Sequence, residues 1–443
     1  MNNIRQLSAT QIDLFRRTLP QEYNNVVEKV AHESSKFRNP RYIKFLLEPL
    51  FYSKNDWSRC IRFTDTIYSI AQKIVNAYYT DIRIQHFYDF DKLLHQLLLA
   101  ARTNECRLPC MRIDLLFQSG KAFLCEINCD GSAGMRKDMV VNESLLSLAP
   151  YRAITQSNNL SYKNLISAQT DMYIKSFIKP NLVNHEAGCR PLVAIVNFRD
   201  SNDFEESMLY VTEYRKHGVQ AILADPRDLV YYCNALYHNG RRIDYVQKEV
   251  DEPDLIQHKD SCADFIGAIL NKTTYFIGSA IGKIIDDKAF FALLHSSLVD
   301  HYIASDERDF IRRFVPLTYL FKGDKELLER VSTNKEKYIL KSRDTYGGAG
   351  VIAGKSVSKA EWQFITESTW NTNYIVQEFI ETDTDMYPYV NNDTLEYDQF
   401  RITVGLFCYN RVLSGFYSRA SKDALVNDYG PNDYYLGNLY YSY

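Results

Sequence analysis

The chain has 443 residues, 52 basic against 55 acidic for a formal net charge of −3, with 46% hydrophobic and 24% charged residues, a soluble globular composition with room for two or three domains. No block of like charge is long enough to make a nucleic-acid or membrane surface, no run of about 18 apolar residues occurs, and the amino terminus lacks the apolar core of a signal peptide. Small-molecule partners and a cytoplasmic location are therefore expected, and nine cysteines, an odd number, point to free thiols.

Residues 1–104 read as a helical region, with helices expected at 12–17, 23–33, 57–79 and 90–102; in the third, Ile61, Ile67, Ile70, Ala71 and Ile74 recur near helical spacing. Chemistry begins at residues 111–117, MRIDLLF, which a short turn joins to residues 122–131, AFLCEINCDG. Two alternating strands make a hairpin that puts Arg112 with Asp114 on one face and Glu126 with Asn128 on one face. Asp114, Glu126 and Asn128 form a hard oxygen set suited to Mg²⁺; the plainer alternative is a solvent-facing strand edge with an Arg112–Glu126 ion pair. Cys106, Cys110, Cys125 and Cys129 are spaced unlike paired zinc knuckles, and buried small side chains are the plainer reading.

Residues 191–198, PLVAIVNF, begin a β-α-β succession: a helix at 203–217, a strand at 219–224, a turn at 225–228 and a further strand at 243–246. This predicts a small parallel sheet over residues 188–260, with Arg199 and Asp200 at the carboxyl end of its first strand, where such sheets bind ligands or where a loop ion pair forms. Residues 261–330 read as largely helical, with Lys288 entering a helix.

The glycine-rich stretch 341–351, KSRDTYGGAGV, follows an apolar strand. Backbone N–H groups at Gly347, Gly348 and Gly350 can be aimed at one anion, with Lys341 supplying charge at the mouth; the same glycines also suit an ordinary hairpin turn. It is neither a Walker A loop nor a dinucleotide fingerprint. Next come a helix at 358–366 and the strand 374–380, YIVQEFI, able to lie flat against an adenine. A hairpin follows at 398–419, whose alternation puts Arg401, Thr403 and Gly405 on one face, and the tail is rich in tyrosine, for which packing is the plain explanation.

The succession of lysine strand, glycine loop, V-Q-E-F-I strand, D-x-x-R hairpin and S-R-A-S resembles the nucleotide-binding lobes of ATP-grasp enzymes. R-x-D followed by E-x-N-x-D resembles the metal and catalytic segment of glutathionylspermidine synthase and its relatives, a circularly permuted branch in which the acidic hairpin precedes the nucleotide lobes. The relatives continue with threonine and proline where this chain has residues 131–135, GSAGM, so substrate identity does not carry over. The resemblance implies an α+β / α/β fold: a circularly permuted ATP-grasp core with the helical amino-terminal region, a metal- and substrate-binding part at 105–187, a Rossmann-like pre-ATP-grasp domain at 188–260, and nucleotide lobes at 261–443.

It further implies an ATP- and Mg²⁺-dependent carboxylate–amine ligase working through an acyl phosphate. Lys288, Lys341, Gly347, Gly348 and Gly350 would hold the phosphates, Gln377, Glu378 and Ile380 the adenine and ribose, and Asp114, Glu126 and Asn128 the metal. Arg112 and Arg419 would stabilise the transferring group. The acids and amines joined stay open: amino acid, peptide, polyamine or carrier-bound acyl group. The alternatives are an ATP-grasp phosphotransferase and a non-catalytic ATP-binding protein.

Overall fold

Ser53 caps the first long helix: its hydroxyl accepts from the Asp56 backbone N–H while the Asp56 carboxylate accepts from the Ser53 N–H, satisfying two otherwise orphaned donors. The computed structural model describes residues 43–101, 108–129, 131–180, 191–201, 203–343, 345, 347–391, 394–427 and 430–441. The helices expected at 12–17 and 23–33, together with Cys106, lie outside them. Helix α1, Lys54–Thr80, buries Cys60, Phe63, Ile67, Ile70, Ala71, Ile74 and Tyr78 along one stripe. That stripe packs on the central sheet, each fully buried aliphatic side chain contributing about 1.5–3 kcal/mol. Helices α2, Ile82–Tyr88, and α3, Lys92–Ala100, follow; α2 has no counterpart among the expected elements.

The central sheet has six strands. Strands β1, Cys110–Gln118, and β2, Lys121–Asn128, form the expected hairpin, turning through Ser119 and Gly120, both left-handed, as a two-residue hairpin turn that follows strand twist requires. Helix α4, Met135–Leu146, comes next. The β-α-β succession is present: β3, Leu192–Val196, helix α5, Phe204–Lys216, β4, Gln220–Ala224, and β5, Tyr245–Lys248. These strands pair in parallel, and a fourth parallel strand, β6, Tyr275–Ile277, adds to β5. The small sheet thus crosses the boundary expected at residue 260.

Helix α6 is Ala289–Leu294, with Lys288 at its N-cap. An antiparallel sheet then collects β7, Thr318–Leu320, β8, Tyr338–Ser342, β9, Val351–Ala353, and β10, Tyr374–Glu378, in the order β7-β10-β8-β9. Between these strands run α7, Lys325–Thr333, and α8, Lys359–Thr369. They pack on this sheet about Trp362, whose indole N–H donates to the Val331 carbonyl at 3.0 Å, with Phe321, Leu327, Leu340 and Val376.

The chain then returns to the central sheet through β11, Thr384–Asn391, β12, Thr394–Tyr409, β13, Val412–Ser421, and β14, Asp433–Leu436. Strand β12 is 16 residues long because it serves three neighbours: β11 along its first half, and β1 and β13 on its two sides along its second. Early and late parts of the sequence are therefore joined edge to edge. Of the described carboxyl-terminal tyrosines, Tyr435 stacks on Tyr417 with centroids 6.0 Å apart and Tyr440 is buried against Trp57, whereas Tyr441 is exposed. Among the described residues no helix is long and apolar enough to cross a membrane.

Candidate active site

Between the central sheet and the β7-β10-β8-β9 sheet lies a cleft. Its apolar surface comes from Leu116, Pro316, Ile339, Val351, Phe379, Ile380, Leu425 and Val426, and its charged groups are Glu126, Lys288, Lys341, Glu378 and Arg419. An apolar-walled slot with a few convergent charges is the usual character of a small-ligand site.

Lys341 projects from β8, where it pairs with Ile375 of β10 and Val351 of β9, and its Nζ donates to the Cys125 carbonyl of β2 at 3.2 Å. Lys288, at the start of α6, donates from Nζ to the Thr345 carbonyl at 2.9 Å. Gly347, Gly348 and Gly350 all have positive φ. A Cβ on Gly348 would stand 2.0 Å from Asn427 Oδ1, so the turn lies directly against the segment 424–427. Gly348 lines the cleft and Gly347 the neighbouring chamber, whereas Gly350 lines neither and packs on Ser342.

Gln377, Glu378 and Ile380 all line the cleft, but Gln377 is tied by its amide to Thr318 Oγ1 at 2.9 Å. The N–H groups of Glu378 and Phe379 donate to Leu317 and Lys337 carbonyls.

Register assembles the remaining candidates. Glu126 lies opposite Asp114, Asp114 opposite Gly405 and Gly405 opposite Tyr417; in the adjoining rows Asn128 faces Arg112, and Thr403 faces Arg419. Paired residues in an antiparallel sheet share a face, so these side chains stand on one surface. Asp114 is fully buried. Its Oδ1 accepts from Arg112 Nε at 2.9 Å, and its Oδ2 accepts from Arg112 Nη2 at 3.2 Å, Arg419 Nη2 at 2.6 Å and Asn128 Nδ2 at 3.4 Å. Both guanidinium groups also lie over the Tyr417 ring, 5.6 and 5.5 Å from its centroid. A Cβ at Gly405 would approach Asp114 Oδ1 to 2.8 Å and the Arg112 stem to 3.0 Å, so only glycine lets this pair lie flat on the strand. In place of the alternative Arg112–Glu126 edge pair the structure has Arg112–Asp114, and Asp114 lines neither cavity.

Burial by itself pushes the Glu126 carboxyl up, but the charges of Lys288, Arg419, Lys341 and Arg112 more than reverse it, bringing it down to about 2. Burial raises Asp114, with Arg112 and Arg419 opposing and Glu126 reinforcing. Cys125 lines the cleft, where burial raises its thiol against the pull of Lys341; the described cysteines are free thiols.

Glu126 and Arg419 also border a second, larger chamber. Its lining includes Arg112, Asn128 and residues 131–133 together with Asp200, Asp203, Asp251, Asp254 and Asp286. Burial lifts the Asp251 carboxyl well above the usual range, with Asp286 and Glu252 adding to the effect. Of these aspartates only Asp200 is marked in the sequence, at the carboxyl end of β3; Asp251 and Asp254 sit at the start of a short helix, Glu252–Gln257, and Asp286 ends another, Gly282–Asp286. Of the pair at the end of β3, Arg199 binds Asp225 and Asp228, whereas Asp200 binds Arg227 at 2.8 Å and lines the chamber.

Among the described residues no group of three or more His, Cys, Asp and Glu side chains is arranged to hold a metal ion. Glu126, which borders both cavities, and Asn128, which borders the chamber, supply one carboxylate and one amide. That donor set fits Mg²⁺, which keeps several waters and takes one or two carboxylates with substrate phosphates.

No family model matches the chain, and no curated protein matches it. Among solved structures it is similar to the apo form of a glutathione synthetase-like effector from Globodera pallida, with a TM-score of 0.60 at 11% identity over 99% of both chains. The two share a fold. Partial overlaps occur with D-alanyl-alanine synthetase A from Vibrio cholerae, at TM-score 0.29, 10% identity, and 48% of this chain with 67% of that one. The ATP-grasp ligase PsnB with its minimal precursor overlaps at TM-score 0.30, 13% identity, and 56% of this chain with 90% of that one.

Proposed function

We propose that this protein is a circularly permuted ATP-grasp ligase that uses ATP to join a carboxylate to an amine. The observation that carries the reading is the meeting of two cavities at Glu126 and Arg419: one lined by Lys288, Lys341, Gly348 and the end of β10, the other open to Arg112 and Asn128. The pairing of β1 with β12 supports the permuted order, since the early hairpin completes a sheet made otherwise from the end of the chain.

In this reading ATP lies in the cleft with its adenine against Ile339, Phe379 and Ile380. Lys288 and Lys341 hold the phosphates, and the 347–350 turn covers them. Glu126 and Asn128 hold Mg²⁺, which when bound would neutralise phosphate charge. Four cationic side chains around Glu126 suit a tetra-anionic ligand, because their charge is then offset by the nucleotide. The acceptor carboxylate enters from the second chamber, and Arg112 and Arg419 meet the negative charge that grows as the phosphoryl group moves to it. The amine then displaces phosphate from the acyl phosphate, with the closed turn keeping water away. The substrates are small molecules or peptides bearing those two groups.

The test supplies purified protein with ATP, Mg²⁺ and pooled carboxylates and amines, following ADP and phosphate and searching for a product lighter than its parents by one water. ADP release that needs both pools is expected. Release needing only the acceptor pool would make the protein a phosphotransferase, and nucleotide binding without any release would make it a binding protein.

A further inference from the structure

Resting on the ligase reading above, we infer that Asp114 is a positioning residue: it holds the guanidinium groups of Arg112 and Arg419 as one unit that reads the terminal phosphate. Three features carry this. Its two oxygens accept from both arginines, bidentate from Arg112 and at 2.6 Å from Arg419. It is fully buried and lines neither cavity, whereas Arg419 borders both and Arg112 the chamber. The surrounding sequence is shaped to the unit: Gly405 has no Cβ where one would strike Asp114 Oδ1 and the Arg112 stem, and Tyr417 lies beneath both guanidinium groups.

The physical reason is charge. Two guanidinium groups side by side repel, and Lys288 and Lys341 add to the positive field that Glu126 feels. A carboxylate between the arginines turns repulsion into a fixed fork, and fixed donors need no rearrangement when charge builds on a phosphate. An ion at Asp114 would have to displace both arginines to reach it.

The test is a pair of affinities measured by calorimetry on the full chain, for ADP and for the β,γ-imido analogue of ATP, at a series of Mg²⁺ concentrations. The unsubstituted protein should bind the analogue about tenfold or more tighter than ADP, the worth of a charge-assisted hydrogen bond to the extra phosphate. Asp114→Asn should bring the ratio near one while ADP affinity and the half-saturating Mg²⁺ concentration stay within about twofold. Gly405→Ala, which keeps every charged group but forces the pair apart, should lower the ratio in the same way. It carries the test if Asp114→Asn loses its cooperative melt. A ratio kept by a folded variant would overturn the positioning role, and a Mg²⁺ requirement that rises with Asp114→Asn would make Asp114 an ion ligand instead. Equal affinities in the unsubstituted protein would also overturn it and leave the nucleotide site intact, whereas no binding of either nucleotide would take the ligase reading down with it.

Discussion

Lys288 Nζ donates to the Thr345 carbonyl at 2.9 Å, so the start of α6 is tied to the glycine-rich turn. The same ammonium lines the cleft where phosphates are proposed to lie. Lys288→Met should therefore do two things at once. It should weaken ATP binding by about tenfold or more, the loss of a charge-assisted hydrogen bond, and it should speed proteolysis of the 341–351 segment in the absence of nucleotide. Unchanged cleavage would show that the tie does not hold the turn.

Glu126→Ala should abolish Mg²⁺-dependent ADP release while the thermal melt and ADP binding persist. Because the carboxyl stays ionised down to about 2, the pH–rate profile between about 5 and 8 should show no acid limb from this residue. Near-normal turnover in the variant would remove Glu126 from the site.

Gly348→Ala meets two obstacles. Its φ of +83° disfavours any Cβ by about 1–2 kcal/mol, and Asn427 stands in the way. Nucleotide affinity should fall, and Asn427→Gly in the same chain should restore part of it. Full restoration would mean that the backbone penalty is absent, and no restoration that the Asn427 contact is irrelevant.

Burial raises the Asp138 carboxyl on α4 to about 8, although Asn142 and Asn438 both donate to its Oδ1 at 2.9 Å. Folded, it keeps its proton up to about 8; unfolded, it loses it near 3.8. Unfolding thus releases a proton within that window, so this group's contribution to stability is full at the acid end and declines as pH rises toward 8. Asp138→Asn, which keeps the accepting oxygen, should flatten the slope in urea titrations at pH 5, 7 and 9. An unaltered slope would assign the pH dependence elsewhere.

Ile74, fully buried on α1, should cost about 2–5 kcal/mol on truncation to alanine. The urea midpoint should drop with little change in the denaturant slope.

Much of this site is legible in alternation and spacing. Arg112, Asp114, Glu126 and Asn128 share a face because strands have a period of two, and Lys341 sits one strand from β10 because short apolar runs flank the glycines. What the sequence hides is which face-mates touch. Arg112 and Glu126 look like partners in a hairpin, yet Asp114 takes the arginine because Arg419 arrives from β13 on the far side of β12. Gln377 reads as a ligand contact but is bound to Thr318, a residue from a different strand. The aspartates of the chamber come from three stretches of the chain, at 200–203, 251–254 and 286, and apart from Asp200 no local pattern announces them. Helix α2 is seven residues long, too short for periodicity to mark it.

The long strand β12 also sets an order of events during synthesis. Hairpin β1–β2 leaves the ribosome early, but the strand that Asp114 lies against, and the arginine that completes its fork, are made close to 300 residues later. At about 5–20 residues per second that is a delay of roughly 15–60 s. Throughout it one edge of the hairpin has no neighbour, so the nascent chain carries an open strand edge that a chaperone must cover or that must fold slowly. Translation speed through the nucleotide lobes then becomes a determinant of yield, and the amino-terminal portion expressed by itself should aggregate until a fragment carrying β12 and β13 is supplied.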